Sequence, residues 1–201
     1  MTDPRLDLGS PEVQNWLDHA IYHLVRYKFA LGFLEPEWQV VDVGCGTGYG
    51  ARMMAGKAAF TIGLDSDPEA VTRSKNLYRH PRLRFVCQNA VETCLPKSDL
   101  ATCFEVVEHL SEEDSALLVS RIHESVQTVG GMAIFSTPRA LPDEDRSDYR
   151  RKHHAHEYAF DEFAVLLRRK FRKVSMFTQT DEIISVGNPR ICWTFLGVCH
   201  V

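Results

Sequence analysis

The sequence predicts an α/β protein whose mostly parallel sheet is covered by helices on both faces. Short apolar segments alternate along the chain with segments of helical periodicity. This alternation is typical of parallel strands joined by helical crossovers. One apolar segment runs directly into a turn with glycine at every second position from Gly44 to Gly50. Because glycine lets a ligand lie against the backbone, the fold is expected to carry a binding site at this turn.

Seven strands are expected, with the last one antiparallel to the others. The first five strands fall into the alternating pattern, and the gap between the final two is too short for a helical crossover, which indicates an antiparallel pair. The predicted strands cover residues 39–43, 60–64, 83–88, 100–105, 131–136, 173–177 and 191–197. The predicted helices cover residues 11–34, 48–55, 68–78, 112–126 and 161–169.

Capping residues and apolar spacing support the helix assignments. Ser10 before Pro11 and Asp67 before Pro68 are expected N-caps, because their side chains accept hydrogen bonds from free N–H groups and proline has none to leave unpaired. Apolar residues of the first helix recur at helical spacing. They are Val13, Trp16, Leu17, Ile21, Leu24 and Val25.

Length and charge limit the function classes. With 201 residues and no linker or repeat, the chain is expected to form a single domain over residues 1–201. The net charge of −4 disfavours general polyanion binding, so a nucleic acid would need the local basic stretch at residues 146–154. The sequence has neither an apolar run of about 18 residues nor a hydrophobic signal core, which predicts a cytoplasmic protein without membrane insertion. The sequence leaves the oligomeric state unknown.

The spacing of the glycine turn excludes two common nucleotide sites. Gly44, Gly46 and Gly48 form G-x-G-x-G, whereas the dinucleotide fingerprint has its third glycine three residues after the second, and a phosphate loop needs Lys followed by Ser or Thr. Asp42 adds a carboxylate two residues before the first glycine, which repels a pyrophosphate and attracts a cation. A sulfonium ligand with an amino group therefore fits the turn better than a phosphate.

The segment Val41-Asp42-Val43-Gly44-Cys45-Gly46-Thr47-Gly48 resembles motif I of the class I S-adenosylmethionine (SAM) dependent methyltransferases. Three further blocks, at residues 63–71, 104–110 and 130–138, follow in the order and approximate spacing of that family. The resemblance covers most of the chain. It implies a Rossmann-like seven-stranded sheet, SAM as cofactor and S-adenosylhomocysteine (SAH) as product, an N-terminal helical cap over residues 1–36 and a substrate lid loop over residues 138–160.

The resemblance places cofactor contacts at the carboxyl ends of the strands, where ligands bind in open α/β sheets. It implies Asp42 near the SAM amino group and Asp65 at the ribose hydroxyls, while Arg26 is suited to the methionine carboxylate. Asn89 stands where the family usually has Asp, and its neutral amide is a weaker acceptor for the adenine amino group. The expected cofactor-binding residues are Arg26, Asp42, Gly44, Cys45, Gly46, Gly48, Asp65, Ser66, Asn89, Ala90 and Glu105.

A polar cluster of Glu105, Glu108 and His109 follows the fourth strand. Packing alone does not account for these side chains, because unpaired buried charges are costly. His109 can take a proton from an attacking oxygen or nitrogen, or it can serve only to anchor the following loop. His154, from the histidine-rich stretch at residues 153–158, is expected to face it. The candidate catalytic residues are Glu105, Glu108, His109 and His154.

The acceptor is open among three interpretations. The stretch from His154 to Tyr158 and the opening helix are similar to small bacterial methyltransferases of the sugar and cell-surface type, which implies methyl transfer to an oxygen or nitrogen of a small-molecule or sugar acceptor without a metal. Alternatively, Glu105, Glu108, His109 and His154 resemble the Mg/Mn-binding set of the small-RNA 3′-terminal 2′-O-methyltransferases, which implies RNA and a divalent ion. A non-catalytic SAM-binding partner protein is the third. The acidic net charge favours the first.

Overall fold

The computed structural model describes residues 17–201, with side chains from residue 21 onward. This part of the chain contains eight strands and six α-helices. The strands are β1 (Gln39–Val43), β2 (Phe60–Asp65), β3 (Leu83–Cys87), β4 (Leu100–Phe104), β5 (Met132–Pro138), β6 (Lys173–Thr180), β7 (Ile183–Ser185) and β8 (Thr194–His200). The helices are α1 (Leu17–Leu31), α2 (Tyr49–Ala55), α3 (Pro68–Leu77), α4 (Glu112–Gln127), α5 (Asp148–His153) and α6 (Phe160–Arg168).

All eight strands belong to one sheet, in the order β3-β2-β1-β4-β5-β8-β6-β7. The first five strands pair in parallel. β8 lies between β5 and β6 and runs antiparallel to both. The predicted α/β architecture and the antiparallel pair at the end of the chain are therefore confirmed.

The predicted strand count of seven is wrong, because β7 is an eighth strand antiparallel to β6. It has three residues, which are too few for the alternation that marks a strand to be recognised in the sequence. Asp181 sits in the turn before β7 with φ of 51°, a left-handed conformation that aspartate tolerates better than most residues. The sheet therefore has two reversed strands, β7 and β8, where one was expected.

Helices cover both faces of the sheet. Because side chains alternate along each strand, a single strand contributes residues to the core on each face. Val41 and Val43 of β1 pack in a core with residues of α4 and α6, such as Leu118 and Phe163. The neighbouring Val40 belongs to a second core, which α1 and α2 complete. The central strands are thus buried on both sides, and their carboxyl ends are held at one edge of the sheet.

The helix boundaries agree with the prediction to within a few residues where they are described. Asp67 caps α3 as expected, its Oδ1 accepting from the backbone N–H of Glu69 at 2.8 Å. The predicted start of the first helix at residue 11, with its Ser10 cap, lies outside the described residues. Within residues 17–201, no helix has both the length and the apolar character needed to cross a membrane.

The segment at residues 138–160, predicted as a loop, contains helical structure. It holds a 3-10 turn at Asp143–Asp145 and helix α5. Ser147 caps α5, its Oγ accepting from the N–H of Arg150 at 3.3 Å. The six residues of α5 are too few for an apolar period to appear in the sequence, which explains why the helix was missed.

Candidate active site

The glycine turn follows β1 directly and requires glycine on steric grounds. Gly44 and Gly48 have φ of 69° and 86°, in the left-handed region that costs other residues energy. A Cβ atom at Gly44 would also lie 2.3 Å from Cγ2 of Val106. The turn therefore packs closely against the segment that follows β4, and both line the same cavity.

This cavity, of about 800 Å³, opens at the carboxyl ends of β1, β2 and β4. The glycine turn and Asp65 line it, as do His109 and, from the segment of α5, Arg150. Its wall includes most of the residues predicted for the site. They are Gly44, Cys45, Gly46, Asp65, Ser66, Asn89, Ala90, Glu105, Glu108, His109 and His154. Asp42, Gly48 and Arg26 are the predicted residues that do not line it.

Asp65 ends β2 with its carboxylate fixed by two backbone donors. Oδ2 accepts from the N–H of Gly46 at 2.8 Å, and Oδ1 accepts from the N–H of Asp67 at 2.9 Å. Each carboxylate oxygen can accept a second hydrogen bond. Asp65 therefore holds the glycine turn in place and still offers acceptors to a ligand hydroxyl in the cavity.

Asn89 also makes local hydrogen bonds at the cavity wall. Its Oδ1 accepts from the N–H of Val91 at 3.0 Å, and its Nδ2 donates to Glu92 at 2.8 Å. The amide oxygen keeps one acceptor position for a ligand donor. Ser66 and Ala90 lie beside it on the same wall.

Asp42 lies beneath the cavity and is completely buried. Its carboxyl group accepts from Thr102 Oγ1 at 2.7 Å and from the hydroxyl of Tyr27, which is 3.2 Å from both oxygens. Burial raises the pKa of Asp42 to about 7, although the hydrogen bonds from Thr102 and Tyr27 oppose the shift. Tyr27 itself lines the cavity, so the hydrogen bond from Tyr27 links the buried Asp42 to the cavity wall.

Arg26 is held in a buried network that joins α1 to the antiparallel end of the sheet. Its Nη1 donates to Gln179 Oε1 at 3.1 Å and to Thr194 Oγ1 at 3.4 Å. Its Nη2 lies 2.8 Å from His23 Nδ1, and only 3% of the residue is exposed. The guanidinium thus lies behind the wall, with its nearest carboxylate, Glu105, 4.0 Å away.

Glu105 occupies a strained position at the end of β4. Its φ of 57° is in the left-handed region, which is uncommon for a non-glycine residue and is concentrated at functional sites. Its Oε1 accepts from Ser136 Oγ at 2.9 Å and faces Arg26. Glu105 is therefore directed toward α1, away from the histidines.

Glu108 and His109 line the end of the cavity that lies away from the glycine turn. Thr137 Oγ1 donates to Glu108 Oε2 at 3.2 Å. The pKa of Glu108 is raised well above its ordinary value, mainly by burial and to a smaller extent by the negative charge of the neighbouring Glu105. His109 Nδ1 lies 2.8 Å from the carbonyl oxygen of His153. Because a carbonyl only accepts, the proton is on Nδ1 and the lone pair of the neutral ring is on Nε2, 4.0 Å from Glu108.

His154 faces His109 with ring centroids 5.1 Å apart. Its Nδ1 is 2.9 Å from Glu157 Oε1, and burial lowers the pKa of His154 despite this hydrogen bond. Ligand atoms of Glu108, His109 and His154 all lie within 4.8 Å of one another. These three residues have the donor types and spacing of a divalent-metal site, and Glu105 of the expected set is not among them.

Helix α5 and Glu157 contribute to the site although neither was predicted to do so. Tyr149 and Arg150 line the cavity, but they belong to a segment predicted as a loop. Glu157 accepts from Arg150 Nε at 2.8 Å as well as contacting His154. No regular period connects Arg150, His154 and Glu157, because α5 ends at His153 and residues 154–159 are not helical, so the sequence carried no clear signal for their contacts.

Comparison with known proteins supports the methyltransferase resemblance. A family model described as a methyltransferase domain matches residues 40–130. A probable S-adenosylmethionine-dependent methyltransferase of Mycobacterium tuberculosis is 34% identical over 130 residues, which are 62% of this chain and 46% of the relative. The ubiquinone biosynthesis O-methyltransferase of Aliivibrio fischeri is 36% identical over 104 residues, 49% of this chain and 43% of the relative. The chain thus covers less than half of the length of these relatives.

Solved structures show the same fold over nearly the whole chain. A Haloferax volcanii methyltransferase structure in complex with the Trm112 methyltransferase activator has a TM-score of 0.73, with 18% identity, and the match covers 94% of this chain and 95% of that one. The methyltransferase domain of bacterial CtHen1 has a TM-score of 0.68, with 18% identity and coverage of 90% and 100%. At these identities the likeness is one of fold.

Proposed function

We propose that this chain is a class I SAM-dependent methyltransferase and that it transfers the methyl group of SAM to an oxygen or nitrogen atom of a small-molecule or sugar acceptor. The observation that carries the proposal is one continuous cavity. At one end the glycine turn is fixed by Asp65, and at the other lie His109 and His154, whose Nδ1 atoms each contact an oxygen of the protein. A donor site and an acceptor site are thereby joined.

The residues at the glycine end fit SAM. Val106 fills the space that a Cβ of Gly44 would need, and Gly44, Cys45 and Gly46 line the cavity, where their backbone would contact the methionine portion of SAM. The carboxylate of Asp65 accepts from ribose hydroxyls, and Ser66, Asn89 and Ala90 border the adenine. Bound SAM supplies an electrophilic methyl group on a sulfonium centre.

Three predicted cofactor residues act from behind the wall in this proposal. Asp42 orients Tyr27 and, in its ionised form, adds negative charge beneath the SAM amino group. Gly48 begins α2 in a left-handed conformation and shapes the turn. Arg26 anchors Glu105, whose carboxylate lines the cavity. Their effect on affinity is therefore indirect.

His109 is the proposed general base. Its Nδ1–H is held by the His153 carbonyl, so Nε2 is free to take the proton of an attacking hydroxyl or amine. Glu108 lies 4.0 Å from the same Nε2, so its side chain borders the position at which the proton of the acceptor would be taken up. Positioning of the acceptor by Tyr149, Arg150 and His154 supplies a further part of the rate.

The metal-dependent RNA 3′-terminal 2′-O-methyltransferase remains the second candidate, and one observation favours it. Glu108, His109 and His154 bring three ligand atoms together, and both imidazoles are oriented through Nδ1 by a carbonyl or carboxylate, as metal-ligating histidines are. The likeness to CtHen1 concerns the fold alone. The acidic net charge of −4 favours the small-molecule acceptor.

Methyl-labelled SAM incubated with the protein and fractionated acceptor pools tests the proposal. We expect label in small metabolites or glycans, with turnover unaffected by EDTA. Label in RNA that EDTA abolishes and Mn²⁺ restores would establish the second candidate instead. SAM binding without turnover against any pool would leave the third interpretation, a non-catalytic SAM-binding partner.

A further inference from the structure

The outer edge of the sheet at β3 carries a groove that the methyltransferase site does not use. β3 is the last strand on its side of the sheet in the described part of the chain. A cavity of about 580 Å³ runs along it and includes every residue of the strand in its wall. The remaining wall comes from the end of α3 and the connection that follows. These residues are Lys75, Tyr78, Arg79 and His80.

The groove exposes unpaired backbone groups of β3. The N–H of Thr61 donates to Arg82 O at 2.8 Å, and the N–H of Gln88 donates to Asp65 O at 2.9 Å. Since pairing alternates along a strand, the even-numbered residues of β3 bond to β2 and the odd-numbered residues point outward. Phe85 and Cys87 therefore direct their N–H groups into the groove, where a further strand can pair with them.

The charged side chains in the wall of this groove are all basic. Residues 70–91 contain Arg73, Lys75, Arg79, Arg82 and Arg84 and no acidic residue, although the protein has a net charge of −4. Among the ion pairs found within residues 17–201, none involves Lys75, Arg79 or Arg84. Their charges are free to attract an anionic occupant.

We propose that this groove binds an extended acidic segment of a partner protein, which joins the sheet as a strand beside β3. Main-chain hydrogen bonds to Phe85 and Cys87 supply affinity, and charge complementarity supplies specificity. A nucleic acid cannot pair with the strand edge in this way. A second copy of the chain would bring an equally basic β3 edge and be repelled.

Charged residues commonly protect edge strands from pairing. Here, however, the charges of Lys75, Arg79 and Arg84 in the groove wall have one sign and take part in none of the ion pairs found in the described residues, so they disfavour a basic strand and attract an acidic one. β3 is also in register with the end of β2, where Cys87 is aligned with Asp65. The occupant therefore lies one strand away from a residue of the proposed cofactor site.

A fluorescein-labelled heptapeptide of sequence Glu-Val-Glu-Thr-Glu-Val-Glu, with blocked ends, tests the proposal by fluorescence anisotropy on the full chain. We expect saturable binding that weakens as salt rises, and no binding of the same peptide with Lys in place of Glu. The double variant Arg79→Glu, Arg84→Glu is expected to lose about tenfold or more in affinity, because two attractive charges become repulsive. The matched control Arg168→Glu, Arg169→Glu changes the exposed end of α6 by the same charge and should bind as the unmodified protein does.

Amide hydrogen exchange followed by NMR tests the strand geometry. Peptide binding should protect the N–H groups of Phe85 and Cys87, while Arg84 and Val86, already paired with β2, should change little. Unchanged SAH affinity in the charge-reversed variant shows that it is folded. Failure of the acidic peptide to bind, retention of affinity in that variant, or binding without protection at Phe85 and Cys87 would each overturn the proposal. Tighter binding of a single-stranded RNA 12-mer that depends on Arg79 and Arg84 would replace the protein partner with a nucleic acid.

Discussion

The hydroxyl of Tyr27 lies 3.2 Å from both carboxyl oxygens of Asp42, and this contact ties α1 to the end of β1. Gly50 in α2 makes room for it, because a Cβ there would lie 1.9 Å from Cζ of the tyrosine ring. Asp42 is buried without access to water, so hydrogen bonds from Tyr27 and Thr102 replace its hydration. The floor of the cavity thus depends on a residue of the N-terminal helix.

Tyr27→Phe is expected to lower the free energy of unfolding by about 1–3 kcal/mol, because the buried Asp42 loses one hydrogen-bond donor while the ring is kept. Urea denaturation at pH 8 measures this loss. Tyr78→Phe, a partly buried tyrosine of the β3 groove, serves as the control and should change stability by less than about 0.5 kcal/mol. An equal loss of unfolding free energy in the two variants would show that the hydrogen bond from Tyr27 to Asp42 contributes no more to stability than the hydroxyl of Tyr78 does.

The stability of the protein should fall as pH rises from about 4 to about 7, in part through Asp42. Its pKa rises from 3.8 to about 7 on folding, so the folded state binds more protons than the unfolded state between these values and loses that advantage as pH rises. At 1.36 kcal/mol per pKa unit the contribution is at most about 4 kcal/mol. Asp42→Asn should flatten this part of the stability profile. If the variant keeps the wild-type dependence of stability on pH, that dependence arises from other groups, such as Glu108.

Local sequence was enough to predict the parts of the site that local structure builds. The glycine turn, Asp65 at the end of β2 and the Asp67 cap all depend on neighbours within a few positions or on a strand end, and each could be placed before the fold was known. Contacts made by α1 could not be placed, because Arg26 meets Gln179 across 153 positions. No period or motif specifies which side chains of distant elements meet.

Asp65→Ala is expected to weaken SAH binding by roughly 10- to 100-fold, because hydrogen bonds to an ionised group contribute about 1.5–3 kcal/mol. Isothermal titration calorimetry with SAH measures the change. Asp67→Ala is the matched control: it removes the cap of α3 and should cost about 1 kcal/mol of stability with little change in SAH affinity. If the two variants bind SAH equally well, Asp65 has no role at the ribose.

His109→Gln should lower kcat by about 10²-fold and leave SAH affinity within about twofold, because the proposed base acts on the acceptor and not on the cofactor. The measurement is methyl transfer to the acceptor identified with labelled SAM. His123→Gln, on α4 and in edge contact with Phe171 outside the cavity wall, is the control. A normal kcat in His109→Gln would restrict His109 to anchoring the loop through its contact with the His153 carbonyl.

Glu157→Gln is expected to loosen the segment that carries α5. The Glu157 carboxylate is nearly buried and accepts from Arg150 and His154. Burial tends to raise its pKa, but hydrogen bonds from Leu141 and His154 and the nearby Arg150 hold it below the ordinary value. The carboxylate is therefore ionised and stabilises this segment at neutral pH. A neutral amide leaves Arg150, whose side chain is 18% exposed, without its counter-charge, at a cost of about 1–3 kcal/mol.

This loss should appear as local opening, because α5 is short and lies at the surface while the sheet is held by other contacts. Trypsin cleavage after Arg150, Arg151 and Lys152, followed by mass spectrometry, should accelerate by about tenfold, since local proteolysis follows the population of the open form. Glu144→Gln, an exposed residue of the same segment, controls for the charge change and should leave cleavage unaltered. Methyl transfer should fall together with the faster cleavage, because Tyr149, Arg150 and His154 reach the cavity only while the segment is closed. Faster cleavage with undiminished kcat/KM would show that the acceptor does not depend on these residues.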